Sequence, residues 1–102
     1  MAKMSAHGHA TLCLIRKRQE PVANQLCTRI VKYRFMSDGK VLRLAQCIWP
    51  DGDKHDGTWK LFPLNGFKAE DVAAKLQEQG FIRDVSGSAY YAETKYQPTK
   101  DL

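Results

Sequence analysis

Polar and apolar residues alternate most regularly over residues 28–49. The run 28–36 sets Ile30, Val31, Tyr33 and Phe35 among Arg29, Lys32 and Arg34. The run 41–49 sets Val41, Leu42, Leu44 and Ile48 around Arg43 and Gln46. A period of two marks half-buried strands. Between the runs stands Ser37-Asp38-Gly39-Lys40. Asp-Gly there predicts a two-residue type I′ hairpin, whose central residues both need φ > 0. With that turn Met36 opposes Val41, Phe35 opposes Leu42, Arg34 opposes Arg43 and Tyr33 opposes Leu44. Phe35, Leu42, Tyr33, Leu44, Val31 and Ile48 then form the core face. Lys32, Arg34 and Arg43 take the other face, flanked by Met36, Val41, Ile30 and Trp49. Like charges directly opposed destabilise a sheet, so Arg34 against Arg43 calls for splaying into solvent, a neighbouring acid or an anionic ligand.

The remaining pattern is read around this hairpin. Residues 10–16 form a first strand whose blurred alternation suits burial on both faces. Arg16-Lys17-Arg18 ends it, and residues 19–24 connect, with Pro21 excluding a central strand there. Residues 51–57 are a turn-rich acidic loop. A calcium reading fails, because His55 stands at the third ligand position and Phe62 where the closing Glu belongs. Residues 58–63 read as another strand, with Lys60 and Phe62 on one face and Trp59 and Leu61 on the other. Paired beside 41–49, it extends the basic and aromatic face.

Ala69, Val72, Ala73 and Leu76 recur at helical spacing and predict one helix over 68–79. Glu70 and Asp71 suit its first turn and Gly80 its C-terminal stop. Residues 81–85 and 88–96 read as a final hairpin around Ser86-Gly87, with Tyr90 and Tyr91 on opposite faces. The order is β-β-β-β-α-β-β: an α+β domain, an antiparallel sheet with one helix packed on one face. With 102 residues the chain is one domain over 10–96, a flexible segment over 1–9 and a disordered tail over 97–102.

Charge adds a direction to this picture. Residues 1–49 hold nine Lys/Arg against two Asp/Glu, a net +7; residues 50–102 hold seven against nine, a net −2, which leaves the whole at +5. A basic half suggests an anionic partner, unless the acidic half covers it. Three cysteines, Cys13, Cys27 and Cys47, are odd in number, widely spaced and set in apolar runs, which reads as reduced thiols in a cytoplasmic protein. No apolar run approaches the roughly 20 residues of a membrane span. His7 and His9 could share a strand face, but a metal needs further ligands. No Gly-rich phosphate loop and no Gly-x-Ser-x-Gly elbow is present. Neither catalysis nor a cofactor or metal is expected, although Cys and His side by side could serve as nucleophile and base.

The specific expectation is a small basic domain that binds single-stranded DNA or RNA on a sheet face. Lys32, Arg34, Arg43 and Lys60 would contact phosphates, and Trp49 and Phe62 would stack on bases. The helix carries only Lys68 and Lys75, too few cations for duplex readout. The alternative is a non-catalytic interaction module that meets an acidic protein, or a second copy through a sheet edge.

Overall fold

The computed structural model describes residues 6–8, 10–85 and 94–96. It is an antiparallel sheet with one helix, an α+β arrangement. The strands are β1 (Ala6–Gly8), β2 (Ala10–Val22), β3 (Gln25–Met36), β4 (Val41–Ile48), β5 (Lys54–His55), β6 (Lys60–Leu61), β7 (Ile82–Arg83) and β8 (Thr94–Tyr96), with α1 (Ala69–Glu78) between β6 and β7. The main sheet runs β5-β4-β3-β2-β7, and β6 joins the same edge of β4 as β5 does. β1, within the segment expected to be flexible, pairs with β8.

Three sequence expectations are corrected here. The first strand does not stop at Arg16: β2 continues through Pro21 to Val22, and Ala23 and Asn24 turn into β3 at φ 49° and 65°. Both central residues have positive φ, so the two-residue type I′ geometry occurs at this turn. Pro21 is tolerated because of strand parity. The Cys13 carbonyl accepts the Asp84 N–H at 2.9 Å on the β7 side. Odd-numbered residues of β2 therefore point to that edge, and β7 pairs only Leu14 and Ile15. The N–H that Pro21 lacks would have faced the edge, so no bond to β3 is lost.

The second correction is the register of β3 and β4. Phe35 opposes Val41, Arg34 opposes Leu42 and Tyr33 opposes Arg43, one residue away from the expected pairing. The loop has three residues. Gly39 N–H donates to Met36 C=O at 3.0 Å, and Met36 N–H to Lys40 C=O at 2.8 Å. Asp38 Oδ1 accepts the Lys40 N–H at 3.0 Å, and Gly39 alone takes positive φ, at 90°. A turn followed by one left-handed Gly is the next most common hairpin solution. It also separates Arg34 from Arg43, removing a repulsive cross-strand pair. The third correction concerns residues 81–96. Among the described residues β7 pairs with β2 and β8 with β1, and no pairing joins β7 to β8. His9, the Ser86-Gly87 turn, Tyr90, Tyr91 and residues 97–102 lie outside the described residues.

The register decides what each face buries. On the helix side Leu14, Val31, Tyr33, Phe35 and Val41 pack with Ala73, Leu76 and Phe81. On the opposite side Ala10, Cys13, Met36 and Leu42 pack with Trp59 and Leu61. The helix ends as its sequence predicts. Phe81 N–H donates to Leu76 C=O at 3.1 Å and Gly80 N–H to Gln77 C=O at 3.2 Å, with Gly80 at φ 98°. That is a Schellman stop, and its expected apolar contact is Leu76 with Phe81. Arg16, expected at the end of the first strand, completes the cap. Its guanidinium donates to Gln79 C=O at 2.9 Å and lies 4.4 Å from the Phe81 ring centroid. A cation there also complements the helix dipole.

The thiols are free, with Cys13 and Cys27 buried and Cys47 partly exposed. Burial raises the Cys13 thiol above its ordinary value of 9.0; nearby Arg34 opposes the shift and Asp84 adds to it. The unfolded chain therefore loses this proton first as pH rises. Stability should be intact below pH 9.0 and fall as pH climbs above it. Urea midpoints at pH 8 and pH 10 should diverge in the wild type more than in Cys13→Ala; equal divergence would remove Cys13 as the cause.

Candidate functional site

The shifted register divides the six residues expected to share one surface. Lys32 and Arg34 remain on the face turned away from the helix, opposite Leu44 and Leu42. Arg34 stacks its guanidinium 4.4 Å from the Trp59 ring centroid, a cation–π contact that ties it into the second apolar cluster. Arg43 is carried to the helix side. Lys60 is its direct partner across β4 and β6, and Phe62 follows on the same face. Trp49 stands just past β4, where its N–H donates to Asp53 C=O at 2.7 Å in the following loop.

Arg43, Lys60 and Phe62 are thus brought together, and they line a cleft of about 650 Å³. The helix covers the end of the sheet built from Leu14, Tyr33 and Phe35, and the cleft opens beyond it. Tyr33 makes the boundary. Its ring meets Phe62 edge-on at 5.4 Å and Phe81 at 5.3 Å. Its hydroxyl accepts a 3.1 Å hydrogen bond from Arg43 Nε, with the guanidinium 5.9 Å from the ring centroid. Arg43 is therefore aimed from a fixed point rather than left to swing.

Sequence reasoning missed Arg29 as a member of this site. It opposes Cys47 on β4 and Arg18 on β2, and it lines the same cleft. Glu20 forms an ion pair with it at 3.3 Å. Alternation along β3 places Arg29 with Tyr33 and not with Lys32, but only the register brings Arg43 to that face beside it. Among the described residues no Asp or Glu lines the cleft, and none pairs with Arg43 or Lys60.

Cys47 and His55 are direct cross-strand partners on the cleft wall. No hydrogen bond between their side chains is found among the described residues. The Cys27 thiol is raised above its ordinary value by burial and then by the neighbouring Cys47 thiol, which leaves it protonated at neutral pH. No group of three metal-ligating side chains occurs among the described residues, and no described helix is long and apolar enough to cross a membrane. No family model matches this chain, and the searches of curated proteins and of solved structures likewise find no match.

Proposed function

We propose that the chain is a single-stranded nucleic-acid-binding domain that uses the helix-side cleft, with Arg43, Lys60 and Arg29 as phosphate contacts. The observation that carries this reading is the direct opposition of Arg43 and Lys60 in a cleft whose lining, among the described residues, includes no acid. Such a pair is unfavourable in the free protein; an anion lying between the two cations removes the penalty. Phe62, half-buried against Tyr33, offers its remaining ring surface to a base. The cleft has the size of a small-ligand site rather than of a duplex groove. The exposed face of the helix carries Glu70, Asp71 and Glu78, which repel phosphate. Lys32 and Arg34 belong to the other face and are not part of this proposal.

Trp49 and Trp59 do not line the cleft, so the test uses anisotropy of a labelled single-stranded oligonucleotide. Affinity should fall with salt, with a log–log slope near −2 for roughly three phosphate contacts. Arg43→Ala/Lys60→Ala should weaken binding about 100-fold at low salt, taking about 1.5 kcal/mol for each charged contact. Lys32→Ala/Arg34→Ala should leave it nearly unchanged. Equal losses from both pairs would return the site to the opposite face. Absence of low-salt binding, with capture of an acidic peptide instead, would replace this reading with a protein-interaction module.

A further inference from the structure

The outer edge of β4 is not paired along its whole length. β5 pairs Cys47 and Ile48 at one end, and β6 pairs Leu42 and Arg43 at the other. Ala45 falls in the gap between them. The direction of its backbone groups follows from parity: Phe62 N–H donates to Val41 C=O at 2.8 Å on that edge. Odd-numbered residues of β4 therefore present N–H and C=O to the β5 and β6 side. The Ala45 carbonyl meets Gly57, which comes so close that a Cβ there would strike the Ala45 oxygen. The Ala45 N–H has no hydrogen-bond partner among the described residues. An unpaired edge amide on a residue that lines a basic cleft is a ready anion donor.

We infer that this gap is a seat for one phosphate group, with the Ala45 N–H as its fixed donor and Lys60 and Arg43 as its counter-charges. Ala45, Gly57, Thr58, Lys60 and Arg43 all line the cleft, so the residue that carries the amide, a hydroxyl-bearing residue and two cationic residues border one space. The inference rests on the proposed nucleic-acid reading for the identity of the phosphate, which would be one group of the bound strand. Free phosphate has the same chemistry and serves as the probe. The seat holds its ligand by a backbone donor that, among substitutions, only Ala45→Pro removes. Lys60 and Arg43 set the strength of binding, and the amide sets its position.

The test is a titration of the intact, isotope-labelled chain with inorganic phosphate, followed at each backbone amide by NMR, with sodium chloride at matched ionic strength as control. The Ala45 amide should move saturably with phosphate and stay in place with chloride. Lys60→Gln should weaken that response roughly tenfold. An Ala45 amide that does not move, or that moves equally in chloride, overturns the seat. A second arm distinguishes the sources of the phosphate. Saturating inorganic phosphate should weaken oligonucleotide binding beyond the effect of matched chloride. Competition without movement of Ala45 ends the seat and leaves the nucleic-acid reading standing. Movement of Ala45 in a protein that binds no oligonucleotide ends the nucleic-acid reading and supports a seat for a free phosphate compound.

Discussion

Gly57→Ala should lower the unfolding free energy by about 3 kcal/mol, combining roughly 1–2 kcal/mol for a left-handed non-Gly residue with about 1–3 kcal/mol for overpacking. Gly57 sits at φ 70°, and its missing Cβ is the room taken by the Ala45 carbonyl. That oxygen belongs to a strand held on its other side by β3, so it cannot withdraw without breaking the ladder. The melting temperature of a chain this size should drop by about 15 °C, at roughly 4–8 °C per kcal/mol. Gly39→Ala is the control, since φ is also positive there, at 90°, but nothing lies within 4 Å of the added carbon. It should lose only the roughly 1–2 kcal/mol backbone term. Equal losses at both positions would mean that the close approach to Ala45 contributes nothing.

Tyr33→Ala should cost about 3–5 kcal/mol, in the range of large aromatic deletions from a core. Tyr33 is 7% exposed and lies between Phe62 and Phe81. Its removal takes away both ring pairs and the support beneath the helix's C-terminal stop. Tyr33→Phe keeps the packing and deletes only the hydroxyl that holds Arg43 Nε, a loss of about 1 kcal/mol. The two variants separate fold from site. Equilibrium unfolding should rank the Ala variant far below the Phe variant. The Phe variant should remain folded at room temperature yet bind oligonucleotide more weakly, because Arg43 is no longer held in place. A Phe variant of full affinity would show that Arg43 needs no positioning.

These expectations depend on a register that local sequence alone could not decide. Asp38-Gly39 correctly marks a chain reversal, because Gly39 supplies a left-handed residue there. Loops of two and of three residues can both use that Gly, and the choice between them moves every side chain of β4 to the other face. The competing terms lie outside the turn. Leu42 is fully buried beneath Trp59 and Leu61, and Tyr33 accepts a hydrogen bond from Arg43. Both contacts exist only in the observed register. The assignment of Phe35, Tyr33 and Val31 to the helix face therefore holds, whereas Leu42, Leu44 and Ile48 lie opposite.

The same reasoning explains why the candidate site was half visible. Lys60 and Phe62 share a face by alternation within their own short strand, and their pairing beside β4 follows from chain order. Arg43 could not be placed with them until the register was known, and Arg29 enters only with it. Pro21 misled in a similar way: a strand that excludes proline internally admits it on an unpaired edge, and edge status is a property of the assembled sheet.

By itself, the sequence determined the properties that depend on neighbours along the chain. These are the alternation that makes strands, the helix that ends at Gly80, the reversal at Asp38-Gly39 and the uneven charge. The tertiary structure alone decided which residues meet across strands: Arg43 with Lys60 and Tyr33, Arg34 with Trp59, Arg16 with the helix end, and Gly57 with Ala45. The physical reason is that local propensities are satisfied equally well by either register. The difference between registers lies in burial, hydrogen bonds and charge contacts between residues far apart in the chain, and those terms arise only when the sheet is assembled.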